Sequence, residues 1–187
     1  MEKVWEKGDE TIIPFDGNDG MTGSPTPEVR IGLGVDSHAF ETHSSERKLV
    51  IGGVVFLNHF ALVGDSDGDV VLHALFNAIH SALGDRGLGF YFSKKDMVGD
   101  LTNSENILKK ALQTLNASPY RLGNVSLTLE CLTPRIEPQN EEIKHNLSRI
   151  LGIPSSAIGL TSTSGDHLTR FGDGKGIYCQ AQVLLYK

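Results

Sequence analysis

Apolar positions recur along this chain with two periods. Val125, Leu127, Leu129 and Cys131 alternate with Ser126, Thr128 and Glu130, the period-two signature of a strand with one apolar face. Val29 to Val35, Leu49 to Phe56, Ala157 to Thr163 and Gly176 to Tyr186 are β-branched or apolar runs that also predict strands, the second broken by Gly52-Gly53. Helical spacing governs three other segments. In Asp69 to Leu83 the residues Val70, Leu72, Leu75, Phe76 and Ile79 share a wide apolar face, with Asp67 or Asp69 as cap and Gly84 as stop. Ser104 to Asn116 carries Ile107, Leu108, Ala111, Leu112 and Leu115 as a stripe, with Ser104 as N-cap. Pro138 to Leu151 turns Ile143, Leu147, Ile150 and Leu151 inward, and 85 to 103 reads as loop. The predicted order is ββααβαββ, with a βαβ crossover over 122–163 and helices gathered on one face of a small mixed sheet, an α+β fold.

Size and charge narrow the options. At 187 residues the chain suits one domain at 29–187 behind an acidic Gly/Thr/Pro-rich tail at 1–28. The tail lacks the pattern of a secretory signal or a transit peptide, and no run reaches the roughly 20 apolar residues of a membrane span. A cytoplasmic setting is expected, with a plastid-type organelle as the alternative. A net charge of −6 argues against nucleic acid or an anionic membrane as partner. The two cysteines, Cys131 and Cys179, are far apart in apolar runs and are expected to be buried and reduced.

Two fragments carry the chemistry: Asp36-Ser37-His38 and the run Gly64 to His73. Residues i and i+2 of a strand share a face, so Asp36 and His38 can grip one metal ion, and His73, one turn into a helix, can close the site. One carboxylate and two imidazoles suit zinc, and three protein ligands leave a position open. The acidic run resembles the start of a calcium loop, but Phe76 stands where the required glutamate would be. Taken singly, each fragment has a plain structural explanation: a strand end, a capped turn and a core histidine. The N-terminus of the second fragment's helix also offers backbone N–H groups for phosphate, with Ser66 beside them.

Five segments, Arg30-Ile-Gly-Leu-Gly-Val-Asp-Ser-His38, Ser66-Asp-Gly-Asp-Val-Val-Leu-His73, Leu83-Gly-Asp-Arg-Gly87, Leu122-Gly-Asn-Val-Ser-Leu-Thr128 and Gly174-Lys-Gly-Ile177, stand in the order seen in the 2-C-methyl-D-erythritol 2,4-cyclodiphosphate synthase family. The resemblance covers residues 30 to 186. It implies a homotrimer of α+β subunits with active sites between neighbours, acting on a cytidine diphosphate substrate. It implies intramolecular phosphoryl transfer that closes a cyclic diphosphate and releases CMP in non-mevalonate isoprenoid biosynthesis. By the same resemblance Asp36, His38 and His73 bind zinc, and Asp85 and Gly87 hold the ribose hydroxyls. Thr133, Pro134 and Arg135 line the cytosine and phosphate pocket, and Thr163 and Ser164 contact the diphosphate. Asp166 binds a second divalent ion, Mg2+ or Mn2+. Asp65 and Ser66 meet a substrate phosphate, and Phe92 and Ser104 face the methylerythritol end.

The chain departs from the family pattern in several places. Asp65 replaces His, Asn77 replaces Asp, Arg135 replaces Lys, Gly165 replaces Thr and Asp166 replaces Glu. Asp173 and Lys175 reverse the signs of an Arg and a Glu near the threefold axis. The departures at Asp65, Asn77 and Asp166 motivate a second reading, a diverged non-catalytic trimer that binds a nucleotide or metabolite.

Overall fold

A computed structural model describes residues 28–43, 45–93 and 95–187, so the predicted tail lies outside the described residues except for Glu28. Four strands form the main sheet: β1 (Val29–Ala39), β4 (Arg121–Glu130), β5 (Ile158–Thr163) and β6 (Gly176–Tyr186), in the order β1-β6-β4-β5. β6 runs antiparallel to both β1 and β4, whereas β4 and β5 are parallel. That parallel pair is the predicted crossover, with α4 (Asn140–Leu151) between its strands. The sheet is therefore mixed.

The second predicted strand is instead a hairpin. β2 (Leu49–Ile51) and β3 (Val54–Phe56) pair with each other in a separate two-stranded sheet. Gly52 and Gly53 form the turn with φ of 60° and 76°, a two-residue loop that needs positive φ at both positions. The predicted loop at 85–103 contains one helical turn, α2 (Leu88–Tyr91), and a 3-10 turn at Gly99–Thr102. Asn103, not Ser104, caps α3 (Ser104–Ala117): its side chain accepts from the Glu105 N–H. Ser104 is left fully buried and is used elsewhere.

The helix α1 (Val70–Ala82) lies directly on β1. Gly32 and Gly34 explain how. A Cβ on Gly32 would sit 1.9 Å from the Ala78 carbonyl oxygen, and one on Gly34 would sit 2.1 Å from that of Ala74. Only glycine lets the two backbones approach this closely. Period two then puts Asp36 and His38 on the same face as these glycines, beneath the start of α1. Asp69 fixes that start. Its carboxylate accepts from Val71 and Leu72 N–H at 3.0 and 3.2 Å, and from Gly52 and Gly53 N–H at 2.9 and 2.7 Å. It therefore joins the hairpin turn to the helix cap.

The inward sides of β4 and β6 (Val125, Leu127, Leu129, Cys179, Ala181, Val183) are buried with Phe76, Ile79, Ile107 and Leu108. Cys131 and Cys179 are buried and unpaired, as expected. The opposite face of the sheet is bare. Ile31, Leu33 and Val35 are 72%, 51% and 46% exposed, beside exposed Ser126, Thr128 and Gln182. Among the described residues no helix is long and apolar enough to cross a membrane.

Candidate functional site

The ligand atoms of Asp36, His38 and His73 all lie within 4.8 Å of one another. Asp36 Oδ2 is the hub, 3.0 Å from His73 Nδ1 and 3.1 Å from His38 Nε2. His38 Nε2 is buried and is not aligned for a hydrogen bond. A buried ring nitrogen facing a carboxylate without a hydrogen bond of its own is suited to a cation. Burial raises the Asp36 pKa, but the His38 and His73 rings close beside it outweigh that and hold the group at about 2. The carboxylate is thus ionised and available as a ligand. The nearby Asp36 carboxylate is also the largest influence on His38, raising its pKa. The donor set fits a divalent metal with an open coordination position.

The far side of His73 is also held. Its Nε2 lies 2.8 Å from Ser104 Oγ and 3.3 Å from Ser66 Oγ. Ser104 Oγ in turn donates to Asp67 Oδ1, and the Ser104 N–H donates to Asp67 Oδ2 at 3.0 Å. Ser66 and Ser104 are both buried, with their hydroxyls on His73, whereas Asp65 is exposed. Arg47 pins the same loop by donating to the Gly64 carbonyl at 3.1 Å and to the Ser66 carbonyl. Sequence reasoning missed Arg47 and took Ser104 for a cap. A serine just ahead of a helical stripe gives the same local signal in both roles.

Further along α1, Asn77 joins the metal side to the segment with Asp85 and Gly87. Its Nδ2 donates to the Val35 carbonyl at 3.2 Å, and its Oδ1 accepts from Leu88 N–H at 2.8 Å. Asp85 is exposed. Tyr91 Oη donates to its Oδ2 at 2.5 Å and the Arg86 N–H to its Oδ1 at 2.7 Å. Those two bonds, the Tyr91 one first, lower its pKa. Phe92 is half-buried and packs edge-on against Phe76, ring centres 5.8 Å apart.

The remaining expected residues gather elsewhere. Pro134, Arg135, Thr163 and Ser164 line one cavity of about 340 Å³ at the ends of β4 and β5. Thr133 lies outside it, in a cleft of about 640 Å³ with Phe60 and Lys175. Asp166 stands just beyond, with φ of 45°, its Oδ1 accepting from Ser164 Oγ at 2.8 Å. Strand register puts all these groups at one end of the sheet, since His38 pairs with Ile177, Tyr178 with Glu130 and Glu130 with Thr163. Yet β1 and β5 are opposite edges. Three strand spacings separate the cluster of Asp36, His38 and His73 from Thr163 by roughly 14 Å.

Residues 29–186 match the YgbB family. The chain belongs to the YgbB family. Curated members include the 2-C-methyl-D-erythritol 2,4-cyclodiphosphate synthase of Aquifex aeolicus, 38% identical over 86% of this chain and 99% of its own length. The synthase of the same name from Halothermothrix orenii is 34% identical over 84% and 93%. Among solved YgbB-like structures, IspF of Plasmodium falciparum in complex with CDP superposes with a TM-score of 0.74 at 30% identity, covering 84% of this chain and 96% of that one. The bifunctional IspDF of Campylobacter jejuni gives a TM-score of 0.79 at 26% identity, with 87% of this chain matching 43% of that protein.

Proposed function

We propose that this chain converts 4-diphosphocytidyl-2-C-methyl-D-erythritol 2-phosphate to 2-C-methyl-D-erythritol 2,4-cyclodiphosphate and CMP. The observation that carries this reading is the intact Asp36, His38 and His73 cluster in a chain that spans nearly the whole length of synthases 34% to 38% identical to it. The enzyme is a phosphorus–oxygen lyase of non-mevalonate isoprenoid biosynthesis. An oxygen of the substrate's 2-phosphate attacks the β-phosphorus. The new P–O bond closes the ring as the bond to the CMP oxygen breaks, and CMP leaves with that electron pair. Nucleophile and electrophile belong to one molecule, so the protein's task is to fold the substrate and screen charge. No side-chain nucleophile is required.

In this proposal Asp36, His38 and His73 hold zinc, and Asp166 helps hold a second ion, Mg2+ or Mn2+. Bound there, the two ions would neutralise charge on the phosphate oxygens. The protein groups do the rest. Asp85 Oδ1 accepts one internal bond, and its Oδ2 accepts from the exposed Tyr91, which a ribose hydroxyl can replace, so the carboxylate can take a diol. The cavity by Arg135 and Thr163 suits the cytosine and the diphosphate, with the guanidinium supplying positive charge. Asp65 is exposed next to Ser66, whose hydroxyl lies on His73.

A homotrimer completes the proposal. Its support is twofold: the bare sheet face with Ile31, Leu33 and Val35, and the roughly 14 Å between the metal and nucleotide halves of one subunit. A neighbour's pocket brought against the triad would make one site from two chains. A cytoplasmic setting rests only on the composition of residues 1–28.

The test is direct. Purified protein loaded with zinc and magnesium is incubated with the authentic substrate, and 31P spectra are read for CMP and the cyclic product. Product formation is expected. Binding of cytidine nucleotides without CMP release would favour a non-catalytic binding protein, the reading that Asn77 and Asp166 motivate. Metal analysis of His38→Ala tests the zinc assignment, which fails if metal content is unchanged.

A further inference from the structure

His80 has no part in the site described so far. It is 1% exposed, and among the described residues neither ring nitrogen has an aligned hydrogen-bond partner. Its imidazole stacks on Phe76, ring centres 4.3 Å apart at 12°. The edge contact to Tyr91 is 4.8 Å at 61°. Nδ1 lies 3.2 Å from Asp85 Oδ2, and the His80 carbonyl accepts the Asp85 N–H at 2.8 Å. One side chain therefore touches both Asp85 and the tyrosine that bonds to it.

A leucine or phenylalanine would fill this place without leaving buried nitrogens unpaired. An imidazole there is explained by what it faces. Burial lowers its pKa, so the ring is neutral and carries a single N–H. The Nδ1–H tautomer directs that dipole at Oδ2. Among the described residues Asp85 has two strong donors, Tyr91 Oη on Oδ2 and the Arg86 N–H on Oδ1. Tyr91 is itself 41% exposed, so an incoming hydroxyl can displace it. His80 then remains as the fixed neighbour of that oxygen.

We propose that His80 is a positioning residue that holds the Asp85 carboxylate in the orientation that accepts a vicinal diol. This rests on the reading that Asp85 grips the ribose of a cytidine nucleotide.

The test compares CDP with 2′,3′-dideoxy-CDP by calorimetry on the full chain. Wild type is expected to prefer CDP by about 10- to 100-fold, the value of a hydrogen bond to a charged group. In His80→Phe, which keeps the ring stack, that preference is expected to fall at least about threefold while dideoxy-CDP affinity holds. His80→Asn, which restores a donor near the Nδ1 position, should recover it. Should His80→Phe not fold, His80→Gln is read against His80→Asn in the same way. A preference unchanged in His80→Phe overturns the proposal alone, as does an equal loss for both nucleotides, the mark of a merely structural role. A wild type indifferent to the hydroxyls removes the Asp85 reading, and this one with it.

Discussion

Ser104 Oγ lies 2.8 Å from His73 Nε2, on the opposite side of the ring from the 3.0 Å contact between Nδ1 and Asp36. Ser104 is in turn held by Asp67. With Ser104 Oγ donating to Asp67, its oxygen is left to accept from a His73 Nε2–H, the tautomer that keeps the Nδ1 lone pair for a metal. Partners behind a ligating histidine typically contribute about 10- to 100-fold in affinity. Ser104→Ala is expected to weaken zinc binding by that factor, measured by chelator competition. An unchanged affinity would make Ser104 a packing residue only.

Asp166 sits in the left-handed region, φ 45° and ψ 37°, where Asp, Asn and Gly are tolerated best. Asp166→Ala therefore mixes backbone strain with loss of charge. Asp166→Asn separates them. Both are expected to lower the rate at least about tenfold, about 1.4 kcal/mol of transition-state stabilisation. High metal concentration should rescue neither fully. A rate for Asp166→Asn equal to wild type would remove Asp166 from the second-ion site.

Replacing Asn77 with the aspartate common in the family has an expected cost here. The Asn77 amide donates to the Val35 carbonyl, and a carboxylate would set an unpaired acceptor against it. Asn77→Asp should keep turnover but lose about 1 kcal/mol of stability. Equal unfolding midpoints in urea would show that the loop relaxes instead.

Glu105 on α3 and Arg149 on α4 form a two-pronged pair at 3.3 and 2.8 Å. Arg149 is the largest cause of the lowered Glu105 pKa. A depressed carboxylate stabilises the fold above its unfolded pKa of 4.5 and ceases to as pH falls through the folded value. Arg149→Ala should thus melt lower than wild type at neutral pH, by no more than about 2 °C for so exposed a pair. The gap should close as the pH falls well below 4.5. A constant gap would assign the loss to packing.

Leu33→Asp puts a charge on the bare sheet face, on the opposite side of β1 from Asp36 and His38. It is expected to leave a folded but monomeric chain by light scattering at micromolar concentration. A monomeric wild type would remove the trimer outright.

Much of this was legible in residue order. Period two marked β4, and period 3.6 marked α3 and α4, because each buries one face against the core, whereas α1, predicted with one wide apolar face, is buried almost all round. Asp36 and His38 were legible as a pair because strand geometry makes i and i+2 neighbours. The Ser104 link was not, since it spans 31 residues and no local rule connects a helix start to the back of a distant histidine. Gly32 and Gly34 were visible as letters, but their role needed α1 in place above them. The Gly52-Gly53 break was seen, while the chain reversal it allows appeared only with the pairing of Leu49 and Phe56. His80 read as one more position in an apolar helix.

The strand order β1-β6-β4-β5 has a genetic consequence. In an assembly whose sites join β1 of one chain to the β4–β5 end of the next, two dead variants can revive each other. A chain damaged at His38 still lends its Thr163 edge, and a chain damaged at Thr163 still lends its His38 edge. Co-expressed in equal amounts and mixed at random around a ring, they would leave about a quarter of the sites with two sound halves. Activity reappearing from two inactive alleles would thus count chains per site without any crystal. Two null alleles that stay null would put both halves of the chemistry back in a single subunit.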